Sequence, residues 1–188
     1  MDQSESFLPR LKTMVERYRT TVAQPHERLA LLAWQIAQGH RLDDRATMPG
    51  HVTTSAIILS PDHQQVLLID HVAIGRWLQP GGHYEPADRF FQSAAREAIE
   101  ETGVSGLTLH PWHRQHDLPL VIDTHEVPGK PSRQEPDHLH HDLQYLFLAD
   151  PALPLRHQPD EVHAAQWKPV LELTAISPRA LARLRQMD

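Results

Sequence analysis

Residues 96–101 read Arg-Glu-Ala-Ile-Glu-Glu, and their spacing is the first sign of chemistry in this chain. On a helix, Glu97 and Glu101 are four apart and share one face, and Glu100, three from Glu97, flanks it. Three neighbouring carboxylates repel one another and weaken an isolated helix, so a positive partner is expected. A hard divalent cation suits them. Mg²⁺ favours a few carboxylates, several waters and phosphate oxygens, and Mn²⁺ is a natural substitute. Arg96 can pin one carboxylate through paired N–H donors. Just upstream, Gly81-Gly82 allows tight backbone geometry, and a carbonyl there could add a ligand. Taken alone, such a charged run is more often a solvated helix face.

A second group of chemically able residues is His138-Leu139-His140-His141-Asp142. If extended, this stretch puts His138, His140 and Asp142 on one face and His141 on the other. That alternation could bind a transition metal or contact a substrate phosphate; it could equally be a polar strand satisfied by hydrogen bonds. In the preceding segment Lys130 and Arg133 could meet phosphates, although loop cations are commonly just solvated.

The elements that must carry these groups follow from hydrophobic periodicity. Leu8, Leu11, Val15, Tyr18 and Val22 fall at helical spacing. After Pro25 the pattern resumes with Leu29, Leu32, Ala33, Ile36 and Ala37 until Gly39 stops it. These two amphipathic helices could cover the core or form a homodimer contact. Residues 52–59 and 66–69 read as a hairpin around Ser60-Pro61-Asp62. Residues 88–102 read as a helix capped by Gly103. Further strands are expected over 107–109, 118–122, 143–148 and 162–170, and a last helix over 178–186. Residues 123–137 are polar, carry three prolines and read as a long surface loop.

The bulk composition narrows the partners. At 188 residues the chain fits one domain with a modest extension, here divided as 1–47 and 48–188. A net charge of −6 argues against sequence-blind nucleic-acid binding, which needs a basic face. No apolar run has the length of a membrane span, and the first residues lack a signal-peptide layout, so a cytoplasmic protein is expected. With no cysteine, disulfides, thiolate metal sites and a thiol nucleophile are excluded. Fifteen histidines are several-fold above an ordinary share, and most should simply lie on the surface.

The glycine pair and the acids together form a longer pattern. Gly82, five residues, Asp88, seven residues, then Arg96-Glu97-Ala98-x-Glu100-Glu101-x-Gly103-Val104 resembles the Nudix box, G-x5-E-x7-R-E-U-x-E-E-x-G-U with U apolar. Six positions match by identity, a coincidence expected on the order of 1 in 100,000, which sets the solvated-face reading aside. The pattern departs at Asp88, where the family has glutamate; aspartate is a good N-cap and suits the helix start. The resemblance spans about residues 50 to 175. It implies an α/β fold, an α/β/α sandwich around a mixed β-sheet, preceded here by the N-terminal helices.

It also implies roles. Glu97 and Glu101 would be the main metal ligands, with Glu100 and the Gly81 carbonyl further ligands and Arg96 orienting Glu97. Glu161, shortly before Trp167, takes the place of a loop glutamate that serves as general base or extra ligand, or is an ordinary exposed acid. Trp77 precedes the box as a packing anchor or a base-stacking platform. His83, with the His138–Asp142 strand, resembles a bacterial subgroup with a Pro-Gly-Gly-His lead-in, and would contact substrate. The implied activity is Mg²⁺-dependent cleavage of a nucleoside diphosphate linked to another moiety. Nucleoside triphosphate pyrophosphohydrolysis and a non-catalytic ligand-sensing module are the alternatives, and a histidine-rich transition-metal protein is a third.

Overall fold

Runs of consecutive apolar residues, 56–59 and 145–148, build the centre of the molecule. In the computed structural model, which describes residues 6–22, 26–129 and 136–187, strand β1 (Gly50–Leu59) is buried along its whole length. Such a strand needs cover on both faces. The sheet of eight strands is mixed. The remaining strands are β2 (Gln65–His71), β3 (Arg76–Leu78), β4 (Gly81–His83), β5 (Thr108–Leu109), β6 (Val121–Val127), β7 (His138–Leu148) and β8 (Val162–Pro169). β7 runs parallel to β1, with Gly50 opposite Leu139 and Leu59 opposite Leu148. On its other side β1 pairs antiparallel with β4 near its start and with β2 at its end. β6 and β5 pair with the two halves of β7, and β8 and β3 pair with β2.

The helices are α1 (Phe7–Thr21), α2 (Ala30–Ala37, entered through a 3-10 turn), α3 (Phe90–Thr102), α4 (Pro111–His116), α5 (Leu173–Ile176) and α6 (Pro178–Leu184). One face of β1, carrying Val52, Ala56 and Ile58, packs with Leu11, Val15 and Tyr18 of α1, Leu32 and Ile36 of α2, and Phe90, Ala94 and Ala98 of α3. The other face, carrying Ile57 and Leu59, packs with Leu173 of α5 and Leu181 and Leu184 of α6. This is an α/β/α sandwich. Each fully buried leucine in it contributes about 1.5–3 kcal/mol relative to exposure.

Of the two roles open to the N-terminal helices, the packing shows core cover. Tyr18 of α1 accepts the Ile122 N–H through its hydroxyl (3.2 Å). Gln35 of α2 donates to the Gly50 carbonyl (2.9 Å). Gly39, at φ +74°, ends the second helix as its position in the pattern predicts. Pro25 lies outside the described residues.

Three expectations need correction. The polar stretch from Asp123 is not loop at its start, because β6 continues to Val127 against β7. Its polar side chains belong to a strand with one neighbour, where sequence polarity is no guide to loop structure. The helix expected over 88–102 begins later than residue 88, so Asp88 is not its cap. Arg89 is the N-cap residue, and its N–H donates to the Gln92 side chain (2.8 Å). Finally, β3, β4, α4 and α5 are not among the expected elements; the strands have three residues each and the helices six and four, all shorter than a periodic signal.

Candidate active site on helix α3 and strand β4

Helix α3 lies close to the sheet because its inward positions are small. Ala94 and Ala98 are fully buried, and Ser93 accepts a hydrogen bond from Thr54 of β1 (2.9 Å). Gly103 closes the helix in the left-handed region (φ 64°), with its N–H on the Ile99 carbonyl. The close approach sets the next stripe of the helix, Glu97 and Glu101, against the backbone of β4.

That backbone has room only for glycine. A Cβ added to Gly82 would stand 2.7 Å from the Glu97 carboxylate, and one added to Gly81 would collide with Ser55 of β1 at 2.5 Å. The Gly81 N–H donates to Glu101 Oε2 (2.8 Å). Gly82 is opposite Thr54 within the ladder, so the polar groups of Gly81 point off it, and its carbonyl shares the side of its N–H.

Arg96 gathers the acids. Its guanidinium donates to Glu97 (2.7 Å) and Glu100 (2.6 Å), and its Nε is 3.4 Å from Glu85. Glu100 is half-exposed, whereas Glu101 is only 3% exposed. Burial pushes the Glu97 carboxyl up, and Arg96 opposes that rise. Among the described residues Glu101 has no cationic partner of its own. Burial drives it up to about 8, against the Gly81 hydrogen bond, and the charges of Glu97, Glu161 and Glu100 raise it further. One buried and one half-buried carboxylate, both destabilised and facing a glycine cradle with a backbone carbonyl alongside, are oxygen donors suited to a hard cation.

Glu161 is exposed at the foot of β8, and its carbonyl accepts the Val72 N–H (2.9 Å). Its negative charge acts to raise Glu101. Trp77 lies on β3, where the Lys168 ammonium sits 3.6 Å from its ring centroid and covers one face. Arg133 and Lys130 lie outside the described residues.

The histidine strand is extended as its alternation predicts, and its side chains divide between the faces. His141 turns to the helical face, donating to Gln35 of α2 (2.7 Å) and accepting from Thr124 (2.9 Å). His138, His140 and Asp142 turn to the opposite face. Asp142 is held there by Ser55 (2.6 Å), Thr53 (3.3 Å) and Gln144 (3.1 Å). His83 of β4 also joins that face, its ring 5.4 Å from that of His140. The acids and the histidines are therefore not one cluster.

Sequence reasoning gave no role to two residues. Glu85 is a third acid on Arg96; its position three residues after Gly82 gave no signal, because the turn between is irregular. His51 stacks on His83 and on His138, with ring centroids 5.1 Å apart in both cases. Only the parallel register of β1 on β7 brings it there.

Comparison with known proteins places this geometry. The sequence model of the NUDIX domain matches residues 49–187. Phosphatase NudJ of Escherichia coli (strain K12) is 30% identical over 78 residues, covering 38% of this chain and 50% of that protein. The same figures hold for Phosphatase NudJ of Shigella flexneri. The chain thus spans about half the length of the curated relatives it matches. Among solved structures, a C. elegans Ap4A hydrolase binary complex superposes with a TM-score of 0.51 at 17% identity, covering 72% of this chain and 93% of that one. At that identity the likeness speaks for the fold.

Proposed function

The chain belongs to the NUDIX family, and on that premise we propose that it is a metal-dependent hydrolase that cleaves the diphosphate bond of a nucleoside diphosphate linked to another moiety. The observation that carries this reading is the pair of acids, the half-buried Glu97 and the buried Glu101, held against Gly81 and Gly82 with Arg96 fixing one of them. Glu97 and Glu101 would hold Mg²⁺ or Mn²⁺, with Glu100 and the Gly81 carbonyl as further donors. When bound, the cation supplies charge neutralisation at the diphosphate and a more acidic water.

The residues of the chain do the rest. Arg96 keeps the Glu97 carboxylate turned toward β4, and Glu85 and Glu100 hold Arg96 in turn. Glu161 takes a proton from the attacking water as its oxygen bonds to phosphorus, the bridging P–O bond breaks, and the leaving phosphate departs with the bridging oxygen. The Gly81 N–H keeps Glu101 in place when its charge is neutralised. The family favours a nucleotide-like small molecule over a nucleic acid, as does the net charge of −6.

The test is a panel of nucleoside diphosphate conjugates, nucleoside triphosphates and dinucleoside polyphosphates, assayed with Mg²⁺ and with Mn²⁺ and with products identified by mass. Two phosphorylated products from a conjugate, and none without divalent cation, are expected. Pyrophosphate from triphosphates as the main product would move the assignment to a pyrophosphohydrolase. Full activity in chelator would remove the reading.

A further inference from the structure

Strand β4 has two sides, and the acids account for one. Across it, His51 of β1 and His138 and His140 of β7 offer ring nitrogens that all lie within 4.8 Å of one another. The parallel register sets His51 directly opposite His140. His83, opposite the neighbouring Thr53, adds a fourth imidazole whose ring is 5.1 Å from that of His51. We propose that His51, His138 and His140 form a second metal site, selective for a borderline transition ion such as Zn²⁺, with His83 at its rim.

Three observations carry this. The first is the donor set: three imidazoles converging from two strands match the ligands that Zn²⁺, Co²⁺ and Ni²⁺ favour and Mg²⁺ does not. The second is the tautomer of His138. Its Nδ1 lies 3.0 Å from the Pro136 carbonyl, which can only accept, so Nδ1 carries the proton and the Nε2 lone pair faces the cluster. A backbone carbonyl on the far nitrogen is the support that metal-bound histidines use. The third is that the Nε2 atoms of His138 and His140 stand 3.2 Å apart, a separation one cation can bridge by small ring movements.

An anion is the other ligand such a group could take, but it would need protonated rings. Positive charge on rings packed this closely would repel, whereas one cation takes a lone pair from each neutral ring. Asp142, farther along the same face, stays outside because Ser55, Thr53 and Gln144 occupy its oxygens. His125 flanks His140 from β6 but is engaged with Asp123 (3.1 Å).

The site is independent of the hydrolase reading. Gly82 faces Glu97, and the next residue, His83, faces the histidines, so different ions can be assigned to the two sides. The full chain, stripped by chelator and dialysed into excess Mg²⁺, is titrated with Zn²⁺ by calorimetry. One equivalent is expected to bind, in wild type and equally in a Glu97→Gln/Glu101→Gln variant. His138→Gln/His140→Gln should weaken it by about 100-fold or more. Absence of saturable Zn²⁺ uptake, or uptake unchanged in the histidine variant, overturns the proposal. X-ray absorption of the Zn²⁺-loaded wild type needs no variant: imidazole scattering is expected, and a shell of oxygen donors alone would also overturn it.

Discussion

The two sides of β4 hold ionisable groups in opposite ways. On the α3 side, the buried Glu101 and half-buried Glu97 are raised toward neutrality and only partly balanced by Arg96, which leaves them short of positive charge. On the other side, the half-buried His140 is pushed toward neutrality from the opposite direction by burial and the neighbouring imidazoles. Burial disfavours whichever form is charged, so the same low-dielectric setting makes one side hungry for a cation and leaves the other a store of lone pairs. The lesson is that two glycines and one histidine in succession let a single strand separate hard from borderline ligands by nothing more than alternation.

The sharpest way to break this contrast is on the acidic side. Glu101→Gln should lower turnover by about 1,000-fold, roughly 4 kcal/mol in the barrier, with the fold retained. Steady-state kinetics beside a thermal melt would check it, and a fully active variant would leave the acids without a catalytic part. Next in size, Gly82→Ala forces the Glu97 carboxylate away from a Cβ at 2.7 Å and should cost about 100-fold in kcat, since a displacement near 1 Å has that effect. Arg96→Gln leaves Glu97, Glu100 and Glu85 without their shared partner. A fall in kcat of about tenfold is expected, partly recovered at high Mg²⁺, and an unaltered Mg²⁺ dependence would speak against the positioning role.

A histidine outside both sites sharpens the comparison further. His113 of α4 bonds the Leu118 carbonyl (2.7 Å) through Nδ1 and accepts the Leu146 N–H (2.8 Å) at Nε2, so it needs to be neutral. Burial lowers it to about 4. With a folded value below the ordinary 6.5, its contribution is intact above pH 6.5 and is lost as pH falls toward 4. Denaturant melts between pH 7 and pH 4 should show His113→Gln less stable by about 1–2 kcal/mol at pH 7 and with a shallower acid loss. Parallel curves would dismiss this histidine as a source of acid sensitivity. The smallest effect belongs to Lys168→Met, which removes the cation from the Trp77 ring and should cost about 0.5–1 kcal/mol in the same melts.

Much of the acidic side was readable in the primary structure because it is local. Glu97, Glu100, Glu101 and Arg96 sit within two turns of one helix, and Gly103 ends it as a glycine in that place should. The central strands and both N-terminal helices were visible through their apolar periodicity. The histidine side was only half visible. Alternation along β7 predicts that His138 and His140 share a face, but the arrival of His51 depends on a parallel pairing between strands about 90 residues apart. Nothing local encodes such a register. Short strands such as β3 and β4 carry too few residues for a pattern, and the polar end of β6 resembles a loop because hydrogen bonds to β7, not buried side chains, hold it.

Gln35 has a consequence for that register. Its side chain spans from the Gly50 carbonyl on β1 to His141 on β7, so one amide senses both strands where they first meet. A slip of β7 by a single residue would exchange His140 with His141 across the sheet and drive the Asp142 carboxylate into the apolar layer. The helix that precedes the domain thereby pins strand alignment as well as covering core, and trimming it away would remove the shared amide together with the buried Leu32 and Ile36.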